Sequence, residues 1–316
     1  MTPALATLAI LSLTSIPERD KSGRPHIRSE SALVRWGDTG EVIVSKNPDV
    51  VRPIASVTKL LSGIVLTKLP STSFETTITV TEDDKDRLKW SRSRLPIGRT
   101  FQASDLFDAA LGASENRAMY ALARVIGGGR DEFVSRMNSE AQALGMTQSR
   151  FLDPAGLAPE NVSTASDLIK LVAAAADSER LRQISALTRI ELPYENGRSL
   201  VLGNPNRLAH SPNWTIAVAK TGYTIEAGRT FVMRAVIDGR PVDAVFLGAR
   251  EMMSVFGDAG RVRRFIVEKR LAQKGASTEG SVTQSSVGAS KHASGASFAA
   301  RRGLGKQPDA LCSADD

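Results

Sequence analysis

Cysteine and histidine are scarce in this sequence of 316 residues, and their scarcity excludes several kinds of site. Cys312 is the only cysteine, so neither an intramolecular disulfide nor a cysteine-based zinc site can form. The histidines are His26, His210 and His292, and two of them lie near the chain ends. We expect His210 to be a surface turn residue. Because no Gly-x-Ser-x-Gly motif is present, a Ser-His-Asp hydrolase is disfavoured, and a zinc peptidase lacks ligands.

The sequence also lacks a long run of basic residues, although its formal net charge is +7. Basic residues are mixed with acidic residues along most of the chain, and the densest basic segment is 85–99, where Asp86 is the single acid. No nucleic-acid-binding motif accompanies this segment. We therefore predict a solvated basic loop and no nucleic-acid partner, with attraction of an anionic polymer as the alternative.

No hydrophobic run is long enough for a comfortable membrane span, so we expect no stable membrane span. The segment Thr2–Ile16 is uncharged and mostly apolar, which is typical of a secretory signal peptide. At the other end, 275–316 is rich in serine, glycine and alanine and is predicted to be disordered. These boundaries divide the chain into a signal-like leader at 1–29, a body at 30–274 and a tail at 275–316.

Strand patterns lie at both ends of the body, with a helical block between them. The strands are predicted at 32–36, 41–45, 215–219, 230–237 and 242–247, and Asp238-Gly239 indicates a tight hairpin. The helices are predicted at 54–69, 104–111, 116–126, 130–144, 164–176 and 259–273. The pattern favours the α+β class. Its antiparallel sheet is built from both chain ends, flanked by helices, and interrupted by an inserted helical subdomain.

Ser56 and Lys59 form the first candidate site, at the start of the helix predicted for 54–69. A separation of three residues places both side chains on one helix face. Burial among apolar neighbours lowers the pKa of a lysine, and a neutral lysine can accept a proton from a serine hydroxyl. A Ser-x-x-Lys motif is expected about once by chance in a chain of this length, so alone it is also compatible with a helix cap.

Ser-x-Asn occurs three times, at Ser45–Asn47, Ser114–Asn116 and Ser211–Asn213. The first and third copies lie beside predicted turns and strand ends. The copy at Ser114–Asn116 lies between two predicted helices, where a hydroxyl and an amide can project over a cleft. Taken alone, it would be interpreted as an ordinary helix cap.

Lys220-Thr221-Gly222 occurs once, directly after the apolar strand predicted at 215–219. A strand ending in these residues offers a cation, a hydroxyl and an uncovered backbone edge. An extended peptide could pair with that edge, and the cation could bind a carboxylate. The alternative is an edge-strand lysine that prevents aggregation.

Together, the three motifs occur in the order found in penicillin-binding proteins and class A β-lactamases. The sequence resembles the low-molecular-mass penicillin-binding proteins over about 30–270, and most closely their D-alanyl-D-alanine endopeptidase branch. The resemblance is carried by Pro53–Lys59, Ser114–Ala118, Ala143–Met146, Asn161–Ala165 and Lys220–Thr224.

The resemblance implies a β-lactamase/transpeptidase-like fold and a serine D,D-peptidase. Ser56 would be the acylated nucleophile, Lys59 its proton acceptor and Ser114 a proton shuttle. It also implies four further substrate-binding residues besides Asn116: Lys220, Thr221, Gly222 and Tyr223. The backbone N–H groups of Ser56 and Tyr223 would form the oxyanion hole.

The resemblance further implies crosslinks in peptidoglycan as substrate, β-lactams as covalent inhibitors, no metal or organic cofactor, and a periplasmic location. A D,D-carboxypeptidase is the nearest alternative, although such relatives usually carry an extra β-rich domain and an amphipathic anchor. A β-lactamase is less favoured because no Glu-x-x-Leu-Asn motif supplies a deacylating carboxylate. A wall-binding protein without activity is the remaining hypothesis, and retention of all three motifs argues against it.

Overall fold

The computed structural model describes residues 18–194 and 197–285, with side chains up to 273. The predicted signal segment Thr2–Ile16 therefore lies outside the described residues, as does 286–316. The helices are α1 Thr58–Thr67, α2 Ala103–Gly112, α3 Asn116–Val125, α4 Arg130–Ala143, α5 Ala165–Asp177, α6 Glu179–Ala186 and α7 Ser254–Ser285. Short 3₁₀ turns include Ala55–Val57 and Arg207–His210.

The strands form one five-stranded antiparallel sheet and three small pairs. They are β1 Ser31–Trp36, β2 Val42–Lys46, β3 Arg52–Pro53, β4 Thr77–Thr79, β5 Thr100–Gln102, β6 Val162–Ser163, β7 Arg189–Pro193, β8 Ser199–Gly203, β9 Thr215–Thr224, β10 Gly228–Ile237 and β11 Arg240–Ala249. The main sheet has the order β2-β1-β11-β10-β9. The predicted sheet from both chain ends, with helices inserted between them, is confirmed.

The main sheet buries both of its faces. On one face, Val218, Val232 and Val245 pack in a core shared with α1, α2 and α5. On the other face, Phe231 and Phe246 pack in a second core with the first turns of α7. This arrangement packs α1 on one face of the sheet, with the turn that precedes it beside the edge strand β9, so the motifs on α1 and β9 lie close together.

Local turn chemistry agrees with the sequence at the hairpin between β10 and β11. Asp238 and Gly239 have φ values of 54° and 78°, as a two-residue turn with both central residues left-handed requires. At the start of α5, Thr164 accepts a hydrogen bond from the Asp167 N–H at 3.0 Å, as a cap should. The Asp167 carboxylate accepts hydrogen bonds from the Gln148 N–H and the Ser149 hydroxyl.

One predicted strand end is wrong, and it concerns a candidate motif. Strand β9 does not stop at Ala219 but continues to Thr224, so Lys220, Thr221 and Gly222 lie inside it. Pairing with β10 explains the extension, because Gly222 and Tyr223 stay in register with Thr230 and Arg229. Backbone hydrogen bonds to a neighbouring strand thus outweigh the low strand propensity of glycine.

Described structure is also present on both sides of the predicted body. Ile27 is buried in the second core, and Ser29, which is fully buried, hydrogen-bonds to Asp258 of α7, so packed structure begins before residue 30. At the other end, α7 continues to Ser285 and includes 275–285, where the composition predicted disorder. Among the described residues, no helix has the length and apolar character needed to cross a membrane.

Candidate active site

Ser56 lies in the 3₁₀ turn that precedes α1, rather than in the helix itself. The residue before it, Ala55, has a φ of 48°, a left-handed conformation that costs a non-glycine residue energy. Two hydrogen bonds to the Ile54 carbonyl stabilise the turn: the Thr230 hydroxyl donates to it at 3.2 Å, and the Val57 N–H donates to it as well. The serine is therefore presented from a fixed and strained backbone.

Lys59 is fully buried and contacts Ser56 directly. Its Nζ lies 2.8 Å from Ser56 Oγ, 2.6 Å from Asn116 Oδ1 and 2.8 Å from the Ala155 carbonyl. Burial lowers the pKa of Lys59 from 10.5 to about 8, and the charges of Asp153, Glu115 and Asp86 oppose that shift. A substantial fraction of Lys59 is thus neutral at mildly alkaline pH.

The partners of Lys59 determine where its lone pair points when the amine is neutral. Asn116 Oδ1 and Ala155 O can only accept hydrogen bonds, so they take the two remaining N–H groups. The third direction faces Ser56 Oγ, which can donate its proton. This geometry makes neutral Lys59 a base directed at the Ser56 hydroxyl.

Two residues that the sequence did not identify fix the orientation of Asn116. Its Nδ2 donates to Ser91 Oγ at 2.9 Å. Asp86 accepts hydrogen bonds from the Ser91 N–H at 2.8 Å and from the Ser91 hydroxyl. Because a carboxylate only accepts, the Ser91 hydroxyl donates to Asp86 and accepts from Asn116, which leaves Asn116 Oδ1 for Lys59. Nothing in the sequence connects the basic loop with the motifs.

The Ala155 carbonyl comes from a loop that was also absent from the sequence prediction. The Asp153 carboxylate accepts four backbone N–H bonds, from 155, 156, 157 and 158, at 2.7–3.0 Å. Gly156 has a φ of 84°, and a Cβ there would lie 2.0 Å from Ala55 O. Only glycine therefore lets the loop approach α1 closely enough for its carbonyl to reach Lys59. The turn sequence Asp153-Pro-Ala-Gly156 could have signalled this loop.

Lys220 and Ser114 form a second contact in the same site. Lys220 Nζ donates to Ser114 Oγ at 2.7 Å and to Thr221 O at 3.1 Å, and the lysine is 2% exposed. Burial lowers the pKa of Lys220 well below its ordinary value, and the positive charge of Lys59 adds to that effect. Ser114 has a φ of 61°, so the turn between α2 and α3 is also strained where it carries a candidate residue.

The remaining predicted residues line one groove with the serines. Ser56, Ser114, Thr221, Gly222 and Tyr223 all border it. A Cβ at Gly222 would lie 2.9 Å from the Ser56 nitrogen and 2.5 Å from Thr230 Oγ1, so β9 needs glycine to pass this close to the Ser56 turn. Every site residue predicted from the sequence is thus brought to one place.

The groove continues beyond these residues and carries positive charge. Arg207 and Arg229 line it together with Met252 and Met253, and no carboxylate is among its lining residues in the described part of the chain. The Arg229 guanidinium stacks 3.9 Å from the centre of the Tyr223 ring. The groove therefore favours an extended ligand with anionic groups.

The other two Ser-x-Asn copies are separate from this site. Ser45 is exposed on β2, and Asn47 donates to Glu30 O. Ser211 follows the 3₁₀ turn 207–210 and accepts from the Asn213 N–H. His210 ends that turn, is exposed, and its Nε2 lies 3.1 Å from Asn204 O, so the prediction of a surface turn residue is confirmed.

Comparison with known proteins adds independent findings. A family model described as D-alanyl-D-alanine carboxypeptidase matches residues 18–251. The chain is 36% identical over 266 residues to a D-alanyl-D-alanine endopeptidase of Pseudomonas aeruginosa, covering 82% of this chain and 85% of that protein. It is 37% identical over 248 residues to the D-alanyl-D-alanine endopeptidase of Escherichia coli, covering 78% and 79%.

A solved structure supports the same fold. The Streptomyces K15 DD-transpeptidase superposes with a TM-score of 0.70 at 22% identity, covering 77% of this chain and 98% of that one.

Proposed function

This chain belongs to the D-alanyl-D-alanine carboxypeptidase family, and we propose that it hydrolyses D-alanyl crosslinks of peptidoglycan through an acyl-enzyme on Ser56. It is a serine-type D-alanyl-D-alanine peptidase. One observation carries the assignment of roles: the buried Lys59 Nζ lies 2.8 Å from Ser56 Oγ and has acceptor-only partners on its other two sides.

In the proposed acylation step, Ser56 Oγ attacks the D-alanyl carbonyl carbon while Lys59 accepts the hydroxyl proton. The N–H groups of Ser56 and Tyr223 would stabilise the negative oxygen that develops. The C–N bond then breaks, and the leaving amine takes up a proton. We assign Ser114, which is hydrogen-bonded to Lys220, to pass the proton from Lys59 to the leaving amine. In deacylation, water attacks the ester carbonyl carbon and loses a proton, the C–Oγ bond breaks, and Ser56 Oγ takes up that proton as the carboxyl product leaves.

We assign substrate binding to Lys220, together with Asn116 and the β9 edge at Thr221, Gly222 and Tyr223. Burial lowers the pKa of Lys220, which favours its neutral form. A substrate carboxylate brings an opposite charge, which raises the pKa again. The lysine would therefore take up a proton as the substrate binds and then form a charge-assisted hydrogen bond.

The endopeptidase assignment rests on the relatives and on the groove. The two relatives described above carry that name and are covered over most of their length. A crosslink extends on both sides of the bond to be cleaved, and the groove beyond Ser56 continues along Arg207 and Arg229. β-Lactams would acylate the same serine and act as covalent inhibitors. A wall substrate and the segment Thr2–Ile16 together support a periplasmic location.

Product analysis of digested peptidoglycan tests this proposal. We expect purified protein to convert crosslinked muropeptide dimers to monomers, and the Ser56→Ala variant to leave the dimers intact. Reversed-phase chromatography of the digest gives both amounts. Removal of terminal D-alanine from monomeric pentapeptides, with dimers unchanged, would instead establish a carboxypeptidase. Rapid hydrolysis of penicillin with neither product would establish a β-lactamase.

The Ser91 hydroxyl provides a further test, because it fixes the amide of Asn116 without touching the nucleophile. We expect Ser91→Ala to lower the rate of acylation by a fluorescent penicillin about fivefold, the equivalent of one hydrogen bond of about 1 kcal/mol. Ser91→Thr keeps a hydroxyl at this position and should retain most of the rate.

The Asp86→Asn variant tests the effect of the Asp86 charge on Lys59 separately from the positioning of Asn116. The Asp86 carboxylate raises the pKa of Lys59, so its removal should lower that pKa and shift the acid limb of the acylation profile to lower pH. Ser91→Ala should leave the acid limb of the acylation profile at the wild-type pH. Equal rates for Ser91→Ala and the wild type would contradict the role of this hydrogen-bond chain.

A further inference from the structure

Among the described residues, Trp90 differs from the other tryptophans because no cation lies over its ring. Trp36 is covered by the Arg240 guanidinium at 4.0 Å, and Arg263 lies 5.7 Å from the centre of the Trp214 ring. Trp90 is 77% exposed and has no aromatic or cation–π contact in the part of the chain that the structure describes. Tryptophan is enriched at binding interfaces, because its ring offers a large apolar face together with a polar N–H group.

The backbone holds Trp90 in this position at a cost. Its φ is 54°, a left-handed conformation that is unfavourable for a bulky residue. The turn is stabilised by Asp86, whose carboxylate accepts the N–H groups of Leu88, Lys89 and Ser91 at 2.8–2.9 Å. The indole is therefore presented by a preorganised turn, and strained residues of this kind concentrate at functional sites.

The turn is connected to the candidate site through the two neighbours of Trp90. The next residue, Ser91, hydrogen-bonds to Asn116 of the candidate site. The preceding residue, Lys89, forms an ion pair with Glu226 in the turn between β9 and β10. The residues on either side of Trp90 thus tie this turn to the candidate site and to the end of β9.

Unpaired positive charge flanks the indole. Arg92 and Arg94 are exposed, and within the described residues neither guanidinium forms a hydrogen bond or an ion pair. The one carboxylate of the loop, on Asp86, is occupied by backbone N–H groups. The exposed surface therefore combines the Trp90 indole ring with the two unpaired guanidinium groups of Arg92 and Arg94.

We propose that Trp90, Arg92 and Arg94 form a secondary surface, the Trp90 surface, that binds the glycan strand of peptidoglycan beside the crosslink being cut. An aromatic ring stacks on the apolar C–H face of a sugar, and guanidinium groups bind the carboxylates of the attached peptides. The inference rests on the proposed function, since the links of this turn to Asn116 and Glu226 favour a wall polymer as its ligand. A nucleic acid would also suit stacking and positive charge, and the experiment includes it.

Binding to intact sacculi tests this surface without catalysis. In a Ser56→Ala background, we expect Trp90→Ala to weaken cosedimentation with purified sacculi about tenfold, as for loss of an aromatic anchor, and Trp90→Phe to retain most of it. Arg92→Ala with Arg94→Ala should weaken it similarly and reduce its salt dependence. Arg189→Ala is the matched control, because Arg189 is an exposed arginine on β7.

Activity on two substrates separates this surface from the catalytic groove. With Ser56 present, Trp90→Ala should digest sacculi about tenfold more slowly. It should cleave soluble crosslinked peptides without glycan, and react with penicillin, at wild-type rates. Unchanged binding to sacculi, equal loss on soluble peptides, or displacement from sacculi by single-stranded oligonucleotide would each overturn the proposal. Failure of the proposed function appears differently, as a wild-type protein that cleaves neither substrate.

Discussion

Ser56→Ala is expected to abolish covalent labelling by benzylpenicillin while the fold is retained. The substitution removes the only hydroxyl that contacts Lys59 Nζ in the described structure. No acyl-enzyme can form without it, so peptidase activity should fall at least about a thousandfold, or about 4 kcal/mol of transition-state stabilisation. The loss of one hydrogen bond to Lys59 costs about 1 kcal/mol of stability, which the fold should tolerate.

Intact-mass spectrometry after incubation with benzylpenicillin measures the adduct directly. The wild type should gain the mass of one penicillin, and the Ser56→Ala variant should gain none. Ser45→Ala is a suitable control, because Ser45 is exposed on β2 and begins another Ser-x-Asn copy. A persistent adduct on Ser56→Ala would place the nucleophile on another residue, which peptide mapping would then locate.

The sequence predicted parts of the site in two ways, from local geometry and from the order of the motifs. Ser56 and Lys59 are three residues apart, and their contact follows from the pitch of a helical turn. Asp238 and Gly239 predicted a hairpin because a two-residue turn with left-handed geometry favours those residue types. Ser114 and Lys220 were assigned from motif order, and their contact joins residues 106 positions apart.

The missed parts depend on tertiary contacts or on weak local signals. Ala155 contributes only a backbone carbonyl, so its side chain gives no hint of its contact with Lys59. Ser91 lies in a basic loop that composition alone presents as solvated surface. Helix α6 is mostly polar and buries only Leu181, Ile184 and Ser185, so its hydrophobic pattern is faint. By contrast, alternation in Arg189–Pro193 was a readable signal for the hairpin of β7 and β8.

The pH dependence of acylation should report the protonation state of Lys59. Only the neutral amine can accept the Ser56 proton, and burial lowers the Lys59 pKa to about 8. The neutral fraction is then about 10% at pH 7 and about 1% at pH 6, rising towards completion above pH 8. The acylation rate should therefore rise about tenfold per pH unit up to about pH 8 and level off above it. A lysine with its ordinary pKa would delay the plateau by more than two pH units.

Lys59→Met should remove both the rate and its pH dependence. Methionine fills much of the same buried volume but cannot accept a proton, so acylation should fall at least about a thousandfold and show no limb near pH 8. Lys68→Met is the matched control, because Lys68 follows α1 directly but is exposed and pairs with Glu140. Its profile should coincide with that of the wild type.

Two results would remove Lys59 from the role of base. The first is a Lys59→Met variant that reacts with fluorescent penicillin within tenfold of the wild-type rate. The second is a wild-type profile that stays flat between pH 6 and 8, since the titrating amine would then not limit the reaction. Lys220 is the other buried amine of the site, and it reaches Ser114 rather than Ser56. A profile that loses its limb in Lys220→Ala but keeps it in Lys59→Met would assign proton transfer to the Lys220–Ser114 pair.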